Sequence, residues 1–203
     1  MIQNYRAAEK YVGTTRKSGR AQFAILENEG LKPTHDILEI GCGALHLAEP
    51  LLRYMKPGRY HGIDPNKWLR TAARSEDRYL DDLTRNGFFS SADDFDGEAA
   101  FNKKFDVIFA HSILSHVSDA QFDQFLAGVR KSLKPGGFCL ASLRLGRDSN
   151  DQEWVYPGVS YYSANTVAIK GLANELLARH RPDIKAAYIE HCPAEIHDWY
   201  EFA

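Results

Sequence analysis

The segment from Asp36 to Asn66, DILEIGCGALHLAEPLLRYMKPGRYHGIDPN, constrains the fold more than any other part of the chain. Ile37 to Ile40 is a short, almost continuously apolar run, as a strand covered on both faces should be. Gly41-Cys42-Gly43 then makes a tight turn. An amphipathic helix follows, with Leu47, Leu51, Leu52 and Met55 on one stripe, and a second strand over Tyr60 to Ile63 ends at Asp64. Strand, glycine turn, helix, strand and acid make the front half of a βαβ nucleotide-binding unit. Glycines at the strand end let backbone approach a ligand closely. A carboxylate at the second strand's tip can accept both hydroxyls of a ribose. An adenosine-containing ligand is therefore expected.

The turn selects among such ligands. A dinucleotide fingerprint wants G-x-G-x-x-G, and its third glycine is here His46. E-I-G-C-G instead resembles motif I of the class I S-adenosylmethionine (SAM) methyltransferases. HGIDPN, FDVIFAHSILSHV and VRKSLKPGGFCLASL resemble the later motifs of that family, in order, over about Ile37 to Leu143. The resemblance departs from the common G-x-G-x-G at Leu45. It implies an α/β fold: a Rossmann-like, doubly wound sheet of seven strands whose last strand is antiparallel. It also implies SAM as cofactor, Glu39 facing its ammonium group, and an acid after the third strand, Asp93 rather than Asp94, accepting from the adenine amine.

The remaining expected cofactor contacts are Gly41, Cys42, Gly43, Asp64, Pro65, Asn66, Ala110 and His111. Asp64 can alternatively cap the helix after it. Trp68 borders the adenine or belongs to the core. His111 and His116 frame the fourth-strand motif and are the candidate bases, since neutral histidine can take a hydroxyl proton near neutral pH. Either can instead be structural. Histidine here, rather than an N-P-P-Y-like motif, favours oxygen over nitrogen as the methylated atom. An aromatic insert, residues 144–165, supplies the candidate acceptor contacts Arg144, Trp154, Tyr156 and Tyr161. Tyr11 to Thr14 is a candidate N-terminal closure. His180, His191 and His197 lack compact ligand spacing, so surface or packing roles and no metal are expected.

At 203 residues and 44% hydrophobic, the chain has material for one substantial core, a single domain with residues 1–30 as a helical cap. Its formal net charge of -2 gives no electrostatic reason for nucleic-acid binding. Three separated cysteines suit reduced thiols, and no apolar run is long enough for a membrane span. A cytoplasmic monomer or homodimer acting on a small molecule is expected. A SAM or S-adenosylhomocysteine (SAH) binder without transfer activity, and an NAD-binding Rossmann protein, remain as alternatives.

The expected helices span about Gln3 to Lys10, Gln22 to Glu29, a start near Glu49, Trp68 to Leu83, Asp119 to Leu133 and Thr166 to Arg179. Gly13 to Gly19 reads as a loop. Further strands are expected at Phe88 to Ser91, Phe105 to Ala110, Phe138 to Leu143, Ala186 to Glu190 and Trp199 to Phe202, the last two paired antiparallel.

Overall fold

Alternate residues of the central strands bury into opposite cores, and this organises the molecule. In β1 (Ile37–Ile40), Leu38 and Ile40 join one apolar cluster and Ile37 the other. In β4 (Phe105–Ala110), Ile108 and Ala110 go one way, Val107 and Phe109 the other. A strand covered by helices on both faces needs this two-sided apolar pattern. The computed structural model describes residues 4–149, 151–194 and 196–203.

The sheet runs β3-β2-β1-β4-β5-β7-β6. β2 is Tyr60–Ile63, β3 Gly87–Ser90 and β5 Leu133–Leu143. β2 and β4 (Phe105–Ala110) pair in parallel with β1, β3 with β2 and β5 with β4, while β7 (Asp198–Phe202) is antiparallel to both β5 and β6 (Ala178–His180). This is the seven-stranded sheet with an antiparallel last strand that the motifs imply. Strand order reverses between β1 and β4, so a crevice opens at their carboxyl ends.

Helices cover both faces. α1 (Tyr5–Val12) packs on α4 (Lys67–Glu76), and α2 (Arg16–Asn28) packs on α3 (Ala48–Tyr54) and α9 (Pro182–His191). α5 (Arg78–Thr84), α6 (Gly97–Phe101), α7 (Asp119–Ser132) and α8 (Ala164–Ala173) complete the described elements. α7 sends Phe122, Phe125, Leu126 and Val129 into the core beside β4. Truncating one such phenylalanine to alanine costs about 3–5 kcal/mol. Among the described residues, no helix is long and apolar enough to cross a membrane.

Several expected boundaries move, most for a local reason. α2 begins at Arg16, inside the expected loop, because Thr15 and Ser18 form a reciprocal capping box. Gly19 then lies within the helix, where a Cβ would stand 2.1 Å from the His46 carbonyl oxygen. The expected helix from Trp68 to Leu83 is two, since the Asp77 carboxylate caps a new start by accepting from the Tyr79 and Leu80 amides. Ser118 caps α7, its side chain accepting from the Gln121 amide. β5 begins at Leu133 and passes through a bulge before pairing resumes at Phe138. α8 ends at Ala173, before the expected Arg179.

Ala186 to Glu190 is not a strand. It lies in α9, started by Pro182 at its first position with Asp183 in the first turn, and rich in alanine. The strand that pairs with β7 at the sheet edge is Ala178–His180.

Candidate active site

A cavity of about 430 Å³ occupies the crevice at the carboxyl ends of β1, β2 and β4. That lies in the range of small-molecule sites, roughly 300–1,000 Å³. Its floor is the turn after β1. The Gly41 and Cys42 amides both donate to the Ile63 carbonyl, at 2.8 and 3.1 Å. Gly41 has φ 80°, and a Cβ there would meet Ile113 Cδ1 at 2.2 Å. Gly43, at φ 44°, would place a Cβ 2.9 Å from Val12 Cγ1. Both positions favour glycine for conformation, and a side chain there would also have to displace Ile113 or Val12. Leu45 nevertheless adopts φ 65° where the family commonly has glycine, and is buried in the core.

Asp64 ties the turn to the second strand. Its Oδ2 accepts from the Gly43 amide at 2.9 Å and its Oδ1 from the Asn66 amide at 2.8 Å. Each oxygen keeps a further lone pair for a ligand hydroxyl. The carboxylate caps no helix: Asn66 precedes α4, and the bond to its amide is a local two-residue turn. Burial raises the Asp64 pKa, opposed by the two amides. Glu39 is buried too, and Tyr60 Oη donates to its Oε2 at 2.5 Å. Burial pushes the Glu39 pKa up to about 8, with Tyr60 opposing and the Asp64 charge adding to the rise. A cationic ligand group placed there would draw the proton off.

Cys42, Pro65, Asn66 and Asp93 complete this part of the wall. Asp94 does not reach it; its carboxylate accepts instead from the Asp96 amide. Trp68 packs edge-on against Tyr11, outside the cavity wall.

The N-terminal segment closes one side through Tyr11, Val12 and Thr14. His46, read from sequence only as the missing third glycine, anchors that segment. Its ring lies 3.2 Å from Tyr5 Oη and 3.0 Å from Thr14 Oγ1. Burial, with Arg16 nearby, lowers its pKa to about 4, so the ring is neutral. Gln22, on the buried face of α2, also reaches the wall and donates to Tyr188 Oη at 3.2 Å.

The opposite side carries both candidate histidines. His111 stacks on Trp199, centroids 5.3 Å apart at 29°, and meets the His197 ring edge-on at 5.4 Å. His116 lies between Trp154 (5.6 Å) and Tyr156 (5.1 Å). Its Nδ1 is 2.8 Å from the Gly158 carbonyl, which can only accept, so Nδ1 carries the hydrogen and Nε2 the lone pair. Burial lowers the His116 pKa, with the Gly158 bond opposing. The insert is pinned here by backbone bonds, Val155 amide to His116 carbonyl and Ser160 amide to Ser115 carbonyl. Tyr156 Oη donates to the Tyr11 carbonyl, joining the insert to the N-terminal segment.

Three expected contacts lie elsewhere. Ala110 is fully buried beside Ala141 and belongs to the core. The Arg144 side chain is off the wall, although its charge helps lower the His116 pKa. Tyr161, 39% exposed, faces away, its amide bound to Ser149 Oγ. Alternation explains the tyrosine: its buried neighbour Tyr162 takes the inward position and donates to the Val117 carbonyl. Ile113 and Gln121, which no expected role singled out, line the cavity from the segment after β4 and the start of α7. Both fall in or beside the fourth-strand motif, which was the available signal. His197 is buried near Ser115 Oγ at 3.2 Å, the packing role expected.

Two buried carboxylates and strand-end glycines suit a nucleoside bearing an amino-acid tail, and SAM fits this donor set. The family described as a methyltransferase domain matches residues 38–139. The chain belongs to the class I SAM-dependent methyltransferases and is an enzyme of that class, with SAM as cofactor. That assignment displaces the NAD-binding alternative.

Similar solved structures carry the same fold. The CcbJ methyltransferase from Streptomyces caelestis aligns with TM-score 0.67 and 12% identity over 100% of this chain and 97% of its own. The glycopeptide N-methyltransferase MtfA gives 0.65 and 15%, over 92% and 90%. Magnesium protoporphyrin IX methyltransferase from Synechocystis PCC 6803, with bound SAM, gives 0.64 and 13%, over 92% and 78%.

Proposed function

We propose that this single-domain enzyme methylates a hydroxyl oxygen of a small molecule, with His116 as the general base. The observation that carries the reading is the 2.8 Å contact between His116 Nδ1 and the Gly158 carbonyl. It fixes the tautomer and leaves the Nε2 lone pair available on a ring that forms part of the cavity wall. A lowered pKa keeps that ring neutral and able to accept a proton at physiological pH.

When bound, SAM supplies an electrophilic methyl carbon on a sulfonium that departs as neutral SAH. The chain's own residues bind, align and dry the reactants. Asp64 would hold the ribose hydroxyls, Glu39 the ammonium and Asp93 the adenine amine, while Gly41 and Gly43 admit the tail. His111, clamped by Trp199, shapes the wall beside His116. The buried free thiols Cys42 and Cys139 support a reducing, cytoplasmic setting.

His116→Gln is the test. Transfer should fall by about 10²–10⁴-fold while SAH affinity stays within a few-fold. In the parent enzyme the acid limb of kcat/KM should fall below pH 6.5, because the His116 pKa is depressed from that value. Unchanged turnover in the variant removes His116 as base. SAM binding without turnover against any hydroxyl or amine acceptor would favour a binding-only protein.

A further inference from the structure

The cavity wall combines three carboxylates with uncovered aromatic surface. Glu39, Asp64 and Asp93 all contribute, and among the described residues no lysine or arginine side chain does. An acceptor with a carboxylate or phosphate would find no lysine or arginine on the wall to pair it, and desolvating an unpaired charge inside a cavity is costly. Arg144, the nearby cation that acts on His116, stands outside the wall.

Trp154 lines the cavity yet remains 41% exposed. Beside it the Tyr156 ring meets His116 edge-on, at 82°. Residues 154–160 therefore do two things. Trp154 leaves ring surface uncovered at the cavity, and Gly158 sets which His116 nitrogen is free. A flat apolar face suits the ring of a phenol or the axial C–H face of a pyranoside.

We infer that the acceptor is a ring compound that carries the reacting hydroxyl and no negative charge, laid against Trp154 and Tyr156 with that hydroxyl toward His116 Nε2. This rests on the methyl-transfer reading and names its substrate class.

The test titrates the full chain, saturated with SAH, with matched pairs: 4-methylphenol against 4-hydroxybenzoate, and methyl glucopyranoside against its glucuronate. In one pair or both, the uncharged member should bind at least about tenfold more tightly than its anion. The pair that binds tells phenol from sugar. Trp154→Ala should weaken that member by about tenfold and leave SAH affinity within about twofold. Equal or tighter binding of the anions overturns the inference. So does an unaltered Kd in Trp154→Ala, or no binding of either uncharged ring at millimolar concentration with SAH in place. Failure of SAH itself to bind is a separate result; it strikes the methyl-transfer reading and this inference with it.

Discussion

The two ends of the cavity are built on different principles. At the β1–β2 end the backbone makes the site: glycines at positive φ, paired amides on the Ile63 carbonyl, and a carboxylate gripped by two further amides. At the β4 end the side chains make it: His116, Trp154 and Tyr156, on segments pinned together at a few backbone bonds. Residue identity is strict in the first region because geometry depends on it. In the second, side chains can change while the pinning bonds remain. With the roles proposed for its two ends, such a molecule can hold its cofactor site constant and vary its acceptor.

Asp64→Ala should show the largest effect on that contrast. It removes a charge-assisted acceptor of ligand hydroxyls and frees the Gly43 and Asn66 amides. Hydrogen bonds to charged groups are worth about 1.5–3 kcal/mol each, so SAH affinity by calorimetry should fall at least about 100-fold. A loss under threefold would remove Asp64 from the cofactor site.

Gly41→Ala comes next and is read as stability. Positive φ and the clash with Ile113 together should cost about 2–4 kcal/mol in denaturant unfolding. Gly136, at φ 77° with nothing within 4 Å, isolates the conformational part. Its alanine variant should cost about 1–2 kcal/mol. Equal costs would mean that Ile113 yields freely, and that the first region is less rigid than its geometry implies.

The contrast also explains what was legible in the sequence. β1, β2 and β4 have the expected boundaries because each is a short, mostly buried run flanked by polar residues or glycine. The expected cofactor contacts sit at motif positions and line one cavity, apart from Ala110, whose register turns it into the core. Within the insert the pattern carried less. Trp154 and Tyr156 face the cavity while Tyr161 and Arg144 do not, and no periodicity in an irregular segment separates them. His46 was legible only as a departure. Its anchoring of Tyr5 and Thr14 depends on how a remote helix folds back. Ala186 to Glu190 misled because an apolar run of that length suits strand or helix, and Pro182 decided for helix.

Glu39 gives a smaller, pH-dependent signal. A carboxyl at about 8 in the folded protein and 4.5 as its ordinary value favours folding fully below pH 4.5. That contribution is lost as pH rises toward 8, so the ligand-free protein should lose stability across this window. Glu39→Gln should flatten the slope. A bound ammonium group would expel the proton, so SAM affinity should rise with pH up to about 8, by at most about tenfold per unit. Calorimetry in buffers of different ionisation heat reads the released proton. Zero release at pH 7 would mean that Glu39 is already ionised or does not meet the cation.

Tyr156→Phe should have the smallest effect and bears on where the two regions meet. Its hydroxyl joins the insert to the Tyr11 carbonyl, and Tyr11 in turn packs on Tyr156 and Trp68. The substitution keeps the ring and removes a bond worth about 0.5–1.5 kcal/mol. With the ring face intact, acceptor binding should hardly change. With the N-terminal segment loosened, SAH affinity should weaken by about two- to tenfold, mostly through faster dissociation. That pattern would place the effect of an insert residue on the cofactor end, making the N-terminal segment a shared wall. An acceptor defect with unchanged SAH affinity would show instead that the two ends are independent, and that Tyr156 serves only the side on which it lies.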